Sequence, residues 1–148
     1  MTEMTENLGE LTITRELPGA PAAAFAAYFE PERFVRFWGP VGTHVPLETV
    51  AIEAKVGGRY DSTMVVDATG ERYPVKAEIA EIRAGESFTM VEEGSGMRST
   101  LTFTGLDGGG TRVVLHQTGV PEMFRGPEAE AGLNSSFDRL VEHLAGRD

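Results

Sequence analysis

The stretch GPEAEAGLNSSFDRLVEHL, residues 126–144, predicts the longest helix of the chain and decides the fold. Its apolar residues recur at helical spacing and form one stripe, made of Leu133, Phe137, Leu140, Val141 and Leu144. Pro127 suits the first helical turn, and Arg139 and His143 come late, where the helix dipole favours positive charge. Gly146 follows as a stop signal. About 19 residues correspond to a rod of roughly 28 Å.

Almost all of the chain before this helix predicts β-strands separated by turns. Alternating apolar and polar residues predict strands over residues 10–17, 48–54, 59–66, 71–83, 86–92, 98–104 and 111–118. Two short helices are predicted after the first strand, over residues 21–29 and 31–37, and each begins with a proline. Turns at short intervals favour antiparallel neighbours. We therefore expect an α+β fold in which a curved antiparallel sheet of six or seven strands wraps around the C-terminal helix.

Composition narrows the class of protein. Residues 10–148 are expected to form a single domain, and residues 1–9 a disordered tail that has little to bury. The net charge of −10 argues against nucleic acid as a partner, because phosphate binding needs a basic surface. No apolar run has membrane-spanning length and the first residues do not form a signal peptide, so we expect no membrane insertion and a cytoplasmic location. The chain has no cysteine, which excludes disulfides and thiolate chemistry.

Residue types that could carry catalysis or bind metal do not occur in the patterns that such sites need. The histidines are His44, His116 and His143. They share no metal-ligand spacing, so we predict neither a metal site nor another cofactor. Ser135 and Ser136 lie on the long helix without a nucleophile elbow and are interpreted as packing or backbone-bonding residues. The neighbouring charges of Asp138 and Arg139 are interpreted as a solvated helix face.

The single tryptophan stands in the stretch PERFVRFWGP, residues 31–40. An aromatic cluster directly before a Gly-Pro break is an unusual way to end a helix. Two interpretations stay open at this point: a hydrophobic lid over the core, or the mouth of a cavity with Trp38 at its rim.

Five stretches resemble one known family. Trp38-Gly39-Pro40 resembles the W-G-P motif of proteins related to the C-terminal domain of the heat-shock-protein-90 ATPase activator, which belong to the START-like (SRPBCC) superfamily. Residues 57–60, 73–77 and 110–113, with the final helix, resemble further motifs of that family in the same order, so that the resemblance covers about residues 10 to 145. Two departures are Val56, where relatives have proline, and Leu133, where many have tryptophan.

The resemblance implies a helix-grip fold with a deep cavity between sheet and helix, and a small hydrophobic molecule as the partner. The inward strand faces and the helix stripe supply the expected lining. These candidate ligand-binding residues are Trp38, Tyr60, Met64, Tyr73, Val75, Phe88, Met90, Phe103, Leu133 and Phe137. We expect Trp38 at the mouth, with Tyr60 and Tyr73 deeper on the inner face. The competing interpretation is that these side chains fill a solid core.

Two other functions stay open. A cyclase or aromatase would need a titratable group in the cavity, and Glu130, near the apolar stripe, is the one candidate. We interpret Glu130 instead as a first-turn residue that complements the helix dipole, and we assign no catalytic residue. A co-chaperone role ranks last, because the activator has an additional domain for which this chain has no room. A homodimer is compatible with the sequence, but no surface stripe requires one.

Overall fold

A computed structural model describes residues 9–146, apart from the side chain of Met123. Three α-helices are present in that range: α1 (Pro21–Phe29), α2 (Pro31–Phe34) and α3 (Pro127–Leu144). Single 3-10 turns span Leu47–Thr49 and Glu122–Phe124. Most of the predicted tail lies outside the described residues, and Gly9 accepts a backbone hydrogen bond from Val120.

Nine strands make up the β structure of the described range. They are β1 (Leu11–Leu17), β2 (Thr43–His44), β3 (Ala51–Ile52), β4 (Tyr60–Val66), β5 (Arg72–Val75), β6 (Ala77–Arg83), β7 (Ser87–Glu92), β8 (Arg98–Gly105) and β9 (Thr111–Thr118). Five of them form a sheet in the order β1-β9-β8-β7-β6, and the other four cluster around β4. Each pair of neighbours is antiparallel.

The two groups of strands join into one curved sheet. A β-bridge pairs Arg59 with Glu78, and this bridge continues the register in which β4 pairs with β5. The strand predicted over residues 71–83 is therefore present as β5 and β6, interrupted at Lys76. At that break the Ala77 amide donates to the carboxylate of Asp61, at 3.1 Å. The α+β helix-grip prediction is confirmed, with the sheet continuous from the β2 and β3 edge to β1.

Two predicted elements are shorter than expected. The strand predicted over residues 48–54 is a 3-10 turn followed by the two-residue β3. The hydroxyl of Thr49 donates to the carbonyl of Pro46, and this local bond favours a turn over an extended chain. The helix predicted over residues 31–37 ends at Phe34 and continues as turns to Phe37. The last helix begins and ends where the sequence predicts.

Helix α3 buries its apolar stripe against the sheet, with Phe137 and Leu140 almost fully covered. The helix also binds the segment of residues 37–43 through polar side chains. The hydroxyl of Ser136 donates to the Phe37 carbonyl at 2.8 Å, as the backbone-bonding interpretation predicts. Ser135 accepts a hydrogen bond from the amide of Val41, at 3.1 Å.

The interpretation as a solvated face is correct for Asp138, which is exposed, but wrong for Arg139. The Arg139 guanidinium donates to the carbonyls of Gly39 at 3.0 Å and of Pro40 and Thr43 at 3.3 Å. Asp138 pairs with Arg15 of β1, at 2.6 Å. Both side chains therefore hold α3 in place, one toward residues 39–43 and the other toward the sheet.

Candidate functional site

The strand register determines which side chains point toward α3. Alternation along β7 puts Phe88 and Met90 on one face, and the pairing of β4 with β5 puts Met64 opposite Tyr73. Tyr60 lies on the same face as Met64, because the two are four residues apart on β4. We call this concave side of the sheet the inner face. The candidate strand residues named from the sequence share it.

One part of the inner face is filled by aromatic rings, and we call it the filled half. Phe88 lies at its centre, only 1% exposed. Its ring contacts Phe29 at 4.8 Å and Tyr60 at 5.5 Å between centroids. Further rings from both short helices and β8 complete the cluster, namely Phe25, Tyr28, Phe34, Phe37 and Phe103. Here the solid-core interpretation describes the packing.

The other part of the inner face is incompletely covered, and we call it the open half. It comprises Leu11, Ser62, Met64, Met90 and Gln117. Met90 sits on β7, between two neighbouring strands, yet it remains partly accessible to solvent. Leu133, one helical turn before Phe137 on the stripe of α3, is partly accessible as well. An inner-facing side chain on an interior strand stays accessible only where the opposing layer leaves space.

Three buried polar side chains lack complete hydrogen bonding: Ser62 and Gln117 on the open half, and Tyr28 in the filled half. Tyr28 is 3% exposed, Ser62 is 5% and Gln117 is 8%. Among the described residues, the hydroxyls of Tyr28 and Ser62 have no hydrogen-bond partner, and one end of the Gln117 amide has none. No side-chain nitrogen or oxygen in that part of the chain is both unpartnered and sealed from solvent. The three groups therefore border space that water can reach.

Burial also sets the protonation of the two inner tyrosines. It raises the pKa of Tyr28 above its usual value, and it raises the pKa of Tyr60, with a further contribution from nearby Tyr28. The Tyr60 hydroxyl donates to the Tyr28 carbonyl at 2.6 Å. Both phenols are neutral at physiological pH, so they can exchange hydrogen bonds with a bound molecule but supply no charge.

Trp38 packs against rings of the filled half, and the residue that follows it approaches Met64 of the open half. Its ring stacks on Phe34 at 4.7 Å and meets Tyr60 edge-on at 5.8 Å, and its side chain is partly exposed. The next residue, Gly39, has φ +88°, and a Cβ there would lie 2.7 Å from the Thr43 hydroxyl and 3.2 Å from the Met64 sulfur. Glycine is therefore required for this segment to approach β4 so closely.

The expectation that Tyr73 lies deeper than Trp38 is wrong. Tyr73 is 46% exposed on β5, and its hydroxyl donates to the carboxylate of Glu71 at 3.1 Å. That bond raises the pKa of Tyr73. Tyr73 faces the inner side of the sheet but stands at its exposed end, on β5.

Two surface grooves, of about 610 and 390 Å³, lie along β6, β7 and β8 on the outer side of the sheet. Threonine and serine from that outer side supply much of their lining, among them Ser87, Thr89, Thr100 and Thr102. Of the candidate residues only Phe103 borders either groove. These grooves are thus separate from the inner face.

The acidic and histidine candidates lie away from the open half. Glu130 is exposed in the first turn of α3, as the helix-dipole interpretation requires. His44 bonds to Asp67 on the surface at 2.6 Å, and His143 accepts a hydrogen bond from Arg33 at 3.2 Å. The open half therefore presents polar groups and apolar surface, and Glu92 of β7 is a carboxylate on the same face as Met90.

Sequence reasoning did not include the polar residues of the inner face among the candidate site residues. Ser62, Ser99 and Gln117 each occupy an inward position in an otherwise apolar alternation. A polar residue at an inward position of an apolar alternation is the sequence signal that could have identified them. Tyr28 was assigned only to packing, since a sequence does not reveal whether a buried hydroxyl finds a partner.

A long C-terminal helix gripped by a curved antiparallel sheet, with two short helices after the first strand, defines the START-like helix-grip class. Residues 19–145 match the profile of the family described as "Activator of Hsp90 ATPase homolog 1-like protein". The chain belongs to that family. Within the described residues, no helix is both long and apolar enough to cross a membrane.

Solved structures with the same fold come from several bacteria. A Chromobacterium violaceum protein aligns with a TM-score of 0.84 at 20% identity, over 91% of this chain and 96% of its own. A Nitrosomonas europaea protein gives 0.82 at 16% identity, over 95% and 96%. A Mycobacterium smegmatis protein gives 0.75 at 24% identity, over 97% and 95%. Comparison with curated proteins gives no significant match.

Proposed function

We propose that the protein binds a small, largely apolar molecule between the open half of the inner face and the N-terminal part of α3. The observation that carries this proposal is the pair of polar side chains on the open half, Ser62 and Gln117, each more than nine-tenths buried with an unpartnered polar end. An unpaired buried polar group costs about 1–3 kcal/mol, so such groups are expected to meet water or a ligand.

The surroundings of these groups suit an apolar molecule. Met64, Met90 and Leu133 are partly accessible and contribute flexible or aliphatic surface. Small-molecule sites are typically apolar with a few polar groups that fix orientation. START-like folds commonly bind hydrophobic ligands, which supports the same conclusion.

Trp38 would lie at the rim of the site. Its ring is packed on one side by Phe34 and Tyr60, while the rest of the indole stays partly accessible. Since the chain has a single tryptophan, its emission reports on this location alone. A bound apolar molecule would replace water beside the ring and shift the emission saturably.

The first experiment is native mass spectrometry of the protein purified from its own host. We expect a retained small mass that disappears on mild denaturation. The variant Met90→Phe fills the open half with a larger ring and should abolish retention. The matched variant Thr102→Val changes the larger outer groove instead, while keeping nearly the same side-chain shape.

Loss of the retained mass in Thr102→Val but not in Met90→Phe would place the ligand in the outer groove and contradict the proposal. Circular dichroism and thermal unfolding establish that both variants are folded. As a second readout, Trp38 emission is titrated with long-chain alcohols, sterols and fused-ring aromatics. At least one class should saturate the signal in the wild type, with a weaker response in Met90→Phe.

A further inference from the structure

We propose that Gln117, oriented by Ser99, is the specificity-determining group of the site, and that the bound molecule is uncharged and carries a hydroxyl or carbonyl at its buried end. This inference rests on the proposed binding function. It assigns a ligand class to the site and a role to two residues that motifs do not single out.

The geometry of the amide supports this role. Gln117 lies on β9 and pairs with Ser99 on β8, with both side chains on the inner face. Its Nε2 donates to the Ser99 hydroxyl at 3.1 Å, and this bond is buried. Exchanging the oxygen and nitrogen of the amide keeps its shape, so in either orientation Ser99 occupies one end and the other end remains free.

The neighbours of the amide form an apolar surface around the free end. Across the strands, Leu11 pairs with Gln117 on one side, and Met90 pairs with Ser99 on the other. Both apolar side chains are partly accessible, whereas the polar pair between them is almost fully covered. A molecule whose apolar body covers Leu11 and Met90 would bring its polar end to Gln117.

Electrostatics on this face disfavour an anion. Arg15 lies on the inner side of β1, but its guanidinium already binds Asp138 at 2.6 Å and the Asn134 carbonyl at 3.0 Å. Glu92 shares the face of Met90 on β7 and adds negative charge. The net charge of −10 acts in the same direction. An ionised ligand would lose hydration without gaining a free cation.

Equilibrium dialysis with three probes of one shape tests the assignment. Naphthalene has no polar group, 2-naphthol adds a hydroxyl, and 2-naphthoate adds a carboxylate that is ionised at pH 8. The wild type should bind 2-naphthol about fivefold to tenfold tighter than naphthalene, the ratio expected for one net hydrogen bond. It should bind 2-naphthoate more weakly than 2-naphthol by a factor of about ten.

The variant Gln117→Met keeps the length of the side chain and removes both amide groups. The naphthol-to-naphthalene preference should fall to about one. Ser99→Ala should lower the preference partly, because the amide loses its orienting partner. Leu115→Met, at a buried position on the same face of β9, is the matched control and should keep the wild-type preference.

The outcomes separate the two proposals. If the wild type binds both neutral probes and the preference survives in Gln117→Met and Ser99→Ala, the role of Gln117 is refuted while the site remains. If 2-naphthoate binds best, the ligand class is wrong. If the wild type binds none of the probes, the binding function itself fails and this inference fails with it. Thermal unfolding of each variant establishes that the protein measured is folded.

Discussion

Two halves of one concave sheet face pack in opposite ways, although the same strands run through both. Phe88 and Met90 are two residues apart on β7 and point to the same side. Phe88 is surrounded by rings and is 1% exposed, whereas Met90 keeps contact with solvent-accessible space. The difference comes from the opposing layer, because α1 supplies three rings over Phe88, those of Phe25, Tyr28 and Phe29.

This contrast shows that one sheet face can combine a tightly packed core with a region that the opposing layer covers incompletely. The filled half gains both apolar burial and edge-to-face ring contacts, each of which adds about 0.5–1.5 kcal/mol. The open half contains flexible methionine and half-bonded polar groups, which stabilise the fold little. Most of the stability is therefore expected from the residues of the filled half.

The largest expected effect is the difference in the free energy of unfolding lost when one side chain of each half is truncated. Phe88→Ala should lower the free energy of unfolding by about 4 kcal/mol, because it empties a ring-lined space. Met90→Ala should cost about 1 kcal/mol, since its side chain is already partly solvated. Urea denaturation of both variants measures the difference. Equal losses would show that the open half is packed as tightly as the filled half.

The second effect is a loss of stability at high pH. Burial raises the pKa of Tyr28 and Tyr60, so the folded state holds both phenolic protons more tightly than the unfolded state, whose phenols titrate near about 10. This stabilisation is fully present below that pH and is lost as the pH rises toward the folded pKa. At pH 11 the two groups together should cost about 3 kcal/mol relative to pH 8.

Denaturation at pH 8 and pH 11 measures that loss. The double variant Tyr28→Phe with Tyr60→Phe has no inner phenol to ionise and serves as the control. Between pH 8 and pH 11, the free energy of unfolding of the double variant should fall by about 3 kcal/mol less than that of the wild type. If the free energy of unfolding changes equally with pH in both proteins, the two rings are not shielded from solvent. The filled half would then be loosely packed.

The third effect concerns the segment that borders the open half. Arg139→Met keeps the aliphatic stem but removes the bonds to the carbonyls of Gly39, Pro40 and Thr43. We expect a loss of about 2 kcal/mol, since hydrogen bonds from a charged donor are the stronger kind. Hydrogen exchange should rise in residues 39–43 more than in β7. Unchanged exchange in that segment would mean that Arg139 does not hold it.

The smallest effect compares two tyrosines in contact. Tyr60→Phe removes a buried bond to the Tyr28 carbonyl and should cost about 1 kcal/mol. Tyr28→Phe removes a hydroxyl that has no partner among the described residues, so it should leave stability unchanged or raise it slightly. Chemical denaturation at neutral pH resolves this pair. A larger loss for Tyr28→Phe would indicate that its hydroxyl is bonded through ordered water.

The elements of this fold follow from local patterns, and their predictions succeeded where the patterns are long. The stripe from Leu133 to Leu144 located α3 correctly, and the alternation in the last two strands located β8 and β9. The prediction over residues 48–54 was wrong because a side-chain bond from Thr49 to Pro46 favours a turn there. The hydrogen bonds from Arg139 to residues 39–43 were not predicted, because these partners are about a hundred residues away in the chain.

By itself, the sequence determined the fold class. Periodicity specifies one long helix and seven strand-forming stretches, and these elements can bury their apolar sides only against one another. The tertiary structure alone decided which inner-facing side chains are covered. Whether Gln117 finds one partner or two, and whether Phe88 or Met90 meets a ring, depends on where α1, α2 and α3 cross the sheet. Those crossings arise from contacts between distant residues, which a local pattern does not encode.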